Sequence, residues 1–330
     1  MRCLVVSPGY NNKFEAFYYS FDKRFINGLI RNECHVVHVS DRDLADSLVG
    51  IRAIGAQYAN FKIARVARHF KPNFVLLFNA DIITNATLKR IKDDSNCKIV
   101  NIDCDPLYNT RRFERLTKRH PIVDYTFVTT AGERLKQLRA AGLPIWFIPN
   151  PADTTIDIEI DPTANKEYDL VYVAGAPLKS GRWQLMKSIE EKAPDLKLGK
   201  FGSSPKVRGH EYYDLLNNTR FGLNWSVENN IKYYASDRMA QLFGAGVAVC
   251  TPKASQYSDF LSDDETVFFD DADDLIEKIR YLKADDRWIE LAKAGRKKYL
   301  QLFSEKEVCR YLLAVIQNKN LTQFEHLASE

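Results

Sequence analysis

Several common signatures are absent from this 330-residue sequence, and each absence removes a class of protein. The six cysteines (Cys3, Cys34, Cys97, Cys104, Cys250 and Cys309) are scattered, none forms a Cys-x-x-Cys pair, and none stands at metal-ligand spacing from a histidine. That argues against a zinc module or a disulfide scaffold and predicts reduced, buried thiols. No apolar run approaches the ~20 residues that span a bilayer. The opening stretch from Met1 to Gly9 is too short and too soon interrupted for a signal peptide, and reads as a first buried strand. There is no low-complexity tract, and the absence of Gly-x-Gly-x-x-Gly leaves little case for a nicotinamide dehydrogenase. The expected location is the cytoplasm, with peripheral contact at the inner face of the membrane as an extension of it.

What is present describes a folded protein. Hydrophobic residues make up 45% and charged residues 27%, the balance of a globular chain. A chain of 330 residues suits two domains of roughly 150 residues each. The net charge of +4 conceals an asymmetry. Residues 1–153 carry 23 Lys/Arg against 15 Asp/Glu, and the remainder 24 against 28. A basic N-terminal half can attract a phosphorylated lipid, an anionic glycan or a membrane surface, or it can be ordinary solvated surface. Nucleic acid is not expected, because the cations are dispersed over many elements without a binding motif.

Short β-branched apolar runs alternate with longer segments of helical period, the pattern of βαβ units on a parallel sheet. In the first half strands are predicted at 2–7, 35–40, 73–78, 98–103, 124–129 and 145–148, with helices at 16–31, 58–70, 83–92 and 132–141. In the second half strands are predicted at 168–174, 197–201, 221–224, 247–251 and 266–269. The matching helices are 180–192, 210–217, 236–243, 272–282 and 286–302. The proline-punctuated polar stretch after Pro149 reads as a crossover. This gives an N-terminal Rossmann-like domain at 1–150, a linker at 151–167, a C-terminal domain at 168–303 and a terminal helix and tail at 304–330. Ser304 followed by Glu307 is a capping-box pattern, and Val308, Tyr311, Leu312 and Val315 form an apolar stripe that must bury somewhere. The N-terminal domain is one candidate surface and the C-terminal domain the other.

Three loops carry candidate chemistry. After the strand at 168–174, Gly175, Lys179 and Arg182 precede a helix start, a combination that suits an anion because glycine admits close approach and an arginine fork binds phosphate oxygens. Gly202 and Ser203 form a second strand-end turn, suited to backbone contacts with a nucleotide base. Ser236, Arg238 and Gln241 open a third element, in which Asp237 and Gln241 share a helical face and can serve a diphosphate and a ribose. A routine βα turn or a capped surface helix would also account for each loop taken alone.

Taken in order, these landmarks resemble one family. Gly175-(x)6-Arg182, Phe201-Gly-Ser-Ser204, Gly222-Leu-Asn224-Trp-Ser226, Ser236-x-Arg238-x-x-Gln241-x-x-Gly-x-Gly-Val247 and the acidic segment after Phe269 are similar to the C-terminal domain of GT-B glycosyltransferases. The nearest likeness is to the spore-maturation CgeB-like branch of the group 1/family 4 enzymes. Ile148-Pro-Asn-Pro-Ala-Asp153 resembles the end of that family's N-terminal domain. The resemblance implies an α/β GT-B fold, two facing Rossmann-like domains with parallel sheets and a C-terminal helix crossing back to the N-terminal domain.

It also implies roles. Arg182 would contact the donor diphosphate and Arg238 the phosphates or the transferred sugar, while Asn224, Ser226 and Ser236 would join the donor-binding set. Gln241 falls where the family usually has a ribose-binding glutamate, and an amide lacks the charge assistance of a carboxylate. Glu228 lies near the position of a second family glutamate. Gly9, Tyr10 and Lys13 come after the first strand, where such enzymes place a loop facing the donor phosphates. Asp103 and Asp105 end a strand on one side of it. They can serve as base or acceptor-orienting groups, or they can cap the next helix. Asp103-Cys-Asp105 also matches the Asp-x-Asp string by which GT-A enzymes bind manganese, but the two-domain pattern points to metal-free chemistry without a cofactor.

The function implied is transfer of a sugar from a nucleotide diphosphate sugar to a glycan, lipid-linked or protein acceptor. The alternatives are a GT-B-fold nucleotide-sugar 2-epimerase and a catalytically degenerate binding subunit.

Overall fold

Strands form where the apolar runs are continuous. All five residues of Phe74–Phe78 are buried, as a strand of a parallel sheet covered on both faces requires. The computed structural model describes residues 1–9, 16–47, 52–178 and 180–329. The chain divides into two units, Met1–Pro149 with Glu305–Glu330, and Asn150–Ser304.

The first unit contains β1 (Arg2–Ser7), α1 (Phe21–Arg31), β2 (His35–Ser40), α2 (Asp41–Asp46), α3 (Arg52–Phe70), β3 (Phe74–Phe78), α4 (Asn85–Ser95), β4 (Lys98–Asp103), α5 (Thr110–Arg119), β5 (Tyr125–Val128), α6 (Glu133–Ala140) and β6 (Ile145–Phe147). Its strands pair in parallel in the order β2-β1-β3-β4-β5-β6. The first helix starts at Phe21, later than the sequence pattern indicates, and α3 starts earlier, at Arg52. Helices α2 and α5 are not expected from the sequence: α2 is six residues long, and α5, TRRFERLTKR, has only Phe113 and Leu116 to mark an apolar face.

The second unit contains β7 (Tyr168–Val173), α7 (Gln184–Lys192), β8 (Leu198–Phe201), α8 (His210–Asn217), β9 (Thr219–Leu223), α9 (Arg238–Ala245), β10 (Ala248–Pro252), β11 (Val267–Phe269), α10 (Ala272–Ala284) and α11 (Trp288–Phe303). Its parallel sheet has the order β11-β10-β9-β7-β8. The order reverses at β7, which lies between β8 and β9. In doubly wound sheets ligands bind at the carboxyl ends of the strands flanking such a switch point. Gly222 on β9 admits α9 closely, since a Cβ there would meet Leu242 Cδ2 at 2.4 Å. At the opposite end of the sheet the buried Asp169 accepts from Lys197 N at 3.0 Å, Arg220 Nη1 at 3.0 Å and Lys283 Nζ at 2.8 Å.

Residues 151–167 are not a free linker but part of the second unit. Ala152 N–H donates to Phe303 O at 3.0 Å and Ile160 N–H to Ala245 O at 2.8 Å. Asp157 is 2% exposed and accepts from Asp153 N at 2.8 Å and from Tyr213 Oη at 3.0 Å. The segment looks like a linker in sequence because its carboxylates are polar. Two of them, Asp153 and Asp157, are buried, where they satisfy backbone and side-chain donors.

The last long helix, α12 (Glu305–Ile316), and the short α13 (Glu325–Ala328) belong to the first unit. All four residues of the apolar stripe are buried there. Tyr311 meets Phe127 edge-on at 6.3 Å, Asn32 Nδ2 donates to Lys306 O at 2.8 Å, and Lys98 Nζ donates to Ile316 O at 2.8 Å. An Arg31–Glu305 ion pair closes the N-terminal end. Helices α1 and α12 approach at Gly28, where a Cβ would lie 2.1 Å from Glu305 O.

At the carboxyl edge of the first sheet, Asp41 is 0% exposed and accepts Ile82 N–H at 2.8 Å, so it ties the loop after β3 to the start of α2. Burial pushes its carboxyl up from 3.8 to about 6, against the pull of the Ile82 N–H and Arg42.

Two outcomes are expected for stability. Gly28→Val should lower the urea midpoint by the equivalent of about 1–3 kcal/mol, because a helix backbone cannot yield as a side-chain tip can; an unchanged midpoint would refute the close approach. For Asp41 the folded state favours the protonated form, so the stability present below about pH 4 is lost as pH rises through about 6, an effect of order 3 kcal/mol. Asp41→Asn should flatten that part of the pH–stability curve, and parallel curves for the two proteins would show that burial does not perturb this carboxyl.

Candidate functional site

The switch point of the second unit is occupied by an arginine. Arg238, the first residue of α9, donates through Nε to Val173 O at 2.5 Å and through Nη1 to Trp225 O at 3.1 Å. Val173 ends β7, and Trp225 lies just beyond the end of β9. One guanidinium therefore clamps the two strand ends where the sheet order reverses. Its carbon lies 4.9 Å from the centroid of the Tyr172 ring, a cation–π contact. Of the five N–H donors of an arginine the two strand-end carbonyls take two, and no other protein partner is found among the described residues.

Tyr172 is the hub beneath it. Its hydroxyl donates to Trp225 O at 2.8 Å and accepts from Arg182 Nε at 2.8 Å. Its ring meets Trp183 edge-on at 4.8 Å. The structure thus brings Arg182, from the turn before α7, to Arg238, from the start of α9. Burial holds the Arg238 pKa below that of a free arginine, and the Arg182 charge adds to the effect. Two cations held together beside a helix N-terminus form a site suited to an anion of more than one charge. Sequence reasoning missed Tyr172 and Trp225. Tyr172 sits within a strand where an aromatic residue is unremarkable, and Trp225 contributes a backbone oxygen.

Gln241 is 8% exposed, and its Nε2 donates to Asp237 Oδ2 at 2.7 Å. The carboxylate that Gln241 lacks is supplied one turn earlier on the same face, and it fixes the orientation of the amide. Asn224 is 2% exposed, with Nδ2 set against Met239 Sδ at 3.4 Å. Among the described residues the buried Asn224 Oδ1, Ser236 Oγ and Ser180 Oγ have no hydrogen-bond partner. Buried polar atoms are normally hydrogen-bonded, so these three are available to a ligand. Ser226 Oγ accepts Ser236 N–H at 3.1 Å and has a structural task. Glu228 is exposed.

The two glycine turns differ. A Cβ at Gly175 would meet nothing within 4 Å, whereas one at Gly202 would lie 2.8 Å from Ala176 O. Gly202 is needed because its turn folds onto the loop after β7, where Ser203 N–H donates to Ala176 O at 3.1 Å. That N–H is spent within the protein, which leaves Ser203 its exposed side chain for a ligand. Lys179 lies outside the described residues.

In the first unit, Asp103 is 5% exposed; one oxygen accepts Asp105 N–H at 3.0 Å and the other lies 3.7 Å from Arg115 Nη2. The first contact holds the turn directly after β4. Gly9, at φ +64°, packs where a Cβ would lie 2.1 Å from Asp43 Oδ2, so the loop after β1 requires glycine there. Tyr10 and Lys13 lie outside the described residues. Among the described residues no three His, Cys, Asp or Glu side chains form a group able to hold a metal ion.

Residues 172–314 match the model of a family described as glycosyl transferase-like. No curated protein matches the chain in sequence. Solved structures match over nearly the whole chain at low identity. An α-glucosyltransferase in complex with UDP and a 13-mer DNA containing an HMU base has a TM-score of 0.65 at 12% identity, covering 96% of this chain and 99% of that one. HepE of Anabaena, in complex with UDP and glucose, gives 0.58 at 11% identity, with 96% and 100% covered. A putative UDP-N-acetylglucosamine 2-epimerase from Listeria monocytogenes gives 0.51 at 12% identity, with 100% and 98% covered. The chain therefore has the GT-B glycosyltransferase fold, and its C-terminal half carries the sequence features of the glycosyl transferase-like family.

Proposed function

We propose that this protein transfers a sugar from a nucleotide diphosphate sugar to a glycan, lipid-linked or protein acceptor. The observation that carries the reading is the Arg238 clamp at the switch point, with Arg182 held beside it by Tyr172. As the glycosidic bond breaks, negative charge grows on the leaving diphosphate. Fixed cations and the N-terminus of α9 stabilise that charge without having to reorganise. In this reading the Asp237–Gln241 pair faces the ribose hydroxyls, and Asn224 Oδ1 and Ser236 Oγ bind the donor.

Uridine is the base we favour, because two of the matched structures contain UDP. Asp103 and Asp105 are assigned to the acceptor, where a carboxylate can orient a hydroxyl or take its proton. Arginine makes the donor site independent of a metal, and the protein works in the cytoplasm, with peripheral contact at the membrane made by the basic N-terminal unit. The arginine that comes after the strand-Gly turn, Arg182, supports placing the chain with the CgeB-like branch.

Two experiments test the reading. UDP should raise the melting temperature more than GDP, TDP or CMP. Arg182→Ala should weaken UDP binding by about 1.5–3 kcal/mol, the range for a hydrogen bond to a charged group. Calorimetry showing full affinity in a folded variant would remove Arg182 from the donor site. Separately, sugar transfer should survive exhaustive EDTA treatment. Complete loss, restored by manganese, would make Asp103 and Asp105 metal ligands and overturn the mechanistic class.

A further inference from the structure

Between Asp46 and Asp81 the chain contains no aspartate or glutamate, while Arg52, Lys62, Arg65, Arg68 and Lys71 fall within that interval. Most of it is α3. The helix turns a small-residue face inward: Ala59, Ile63 and Ala67, four residues apart, are each at most 1% exposed. Its outer face is unusual in being both cationic and apolar. Ile54, Phe61, Arg65 and Arg68 stand at i, i+7, i+11 and i+14 and so share one stripe, with Lys62 and His69 on its flank. Ile54 is 52% and Phe61 55% exposed. The Arg65 guanidinium lies 5.8 Å from the Phe61 ring centroid. Phe61, Lys62, Arg65 and His69 also border a shallow groove of about 630 Å³. Among the described residues, Arg68 is the one cation of the stripe that reaches a carboxylate, Asp94 at 3.6 Å.

We infer that this face of α3 binds the anionic headgroups of a membrane surface, with Phe61 and Ile54 entering the interface. Charge complementarity selects the partner. The unit that carries α3 has 26 Lys/Arg against 18 Asp/Glu, and α3 itself has no acidic residue. Polybasic segments are drawn to the negative potential of anionic lipid, and exposed apolar side chains on the same stripe add insertion into the headgroup–acyl boundary. A nucleic-acid backbone would use the cations but would leave Ile54 and Phe61 against water. The inference assigns the peripheral contact proposed above to named residues, and it does not depend on the sugar-transfer chemistry.

The experiment is flotation of the full chain, without donor, on phosphatidylcholine vesicles and on vesicles containing phosphatidylglycerol. The protein should float only with the anionic vesicles and be released by about 1 M salt, where the Debye length falls to ~3 Å. Lys62→Glu combined with Arg65→Glu should reduce partitioning at least about tenfold, and Phe61→Ala about tenfold. Because these side chains are exposed, the melting temperatures should not change. Equal flotation on neutral and anionic vesicles, wild-type partitioning by the charge-reversed variant, or duplex DNA displacing the protein with Phe61→Ala unaffected would each overturn the inference. Loss of vesicle binding with UDP binding intact would fault this face alone, whereas vesicle binding without UDP binding would fault the donor site.

Discussion

A guanidinium joining two strand ends is the constraint on which the candidate site depends. At the switch point of the second sheet two carbonyl oxygens, Val173 O at the end of β7 and Trp225 O just past the end of β9, lie within reach of one side chain. Arg238 satisfies both. It thereby fixes the start of α9, and with it the face carrying Ser236, Asp237 and Gln241. The cation is held by carbonyl dipoles and an aromatic ring, while the neighbouring carboxylate, Asp237, is committed to Gln241. The adjacent Asp237 partly offsets its charge, and Arg182 adds a second cation beside it.

The same use of buried polar groups as fasteners recurs away from the site. Asp157 joins the segment after Asn150 to α8 through Tyr213, and Asp169 gathers Lys197, Arg220 and Lys283 at the amino end of the second sheet. Breaking one partner of such a set leaves a charge uncompensated in low dielectric, which costs more than the pair contributes. In the first unit α12 does comparable work by packing. It covers the apolar surface beside α1 and β5, and the approach at Gly28 fixes its register.

The sequence by itself determined the parallel α/β architecture, most strand positions and the two arginines of the candidate site. Those are local properties: continuous apolar runs, glycine at strand ends, and cations near helix starts each leave a signal within a few residues. The apolar stripe of α12 was legible in the same way, since a periodic pattern declares that it must be buried. What only the tertiary structure decided is where each group finds its partner. That α12 packs with the first unit depended on which apolar surface was left uncovered. The segment 151–167 looked like a linker because burial of a carboxylate is invisible until its donors, such as Tyr213, 56 positions away from Asp157, are brought to it. The groups that meet the Asp103 carboxylate, Asp105 N–H and Arg115, come from the next turn and from α5, and only the fold brings Arg115 to it. Gln241 looked deprived of charge until its amide was found on Asp237. Arg238 and Val173 are 65 residues apart, and they meet because the crossovers place β7 beside β9. Sheet order is set by the packing of whole elements, and no local pattern encodes it.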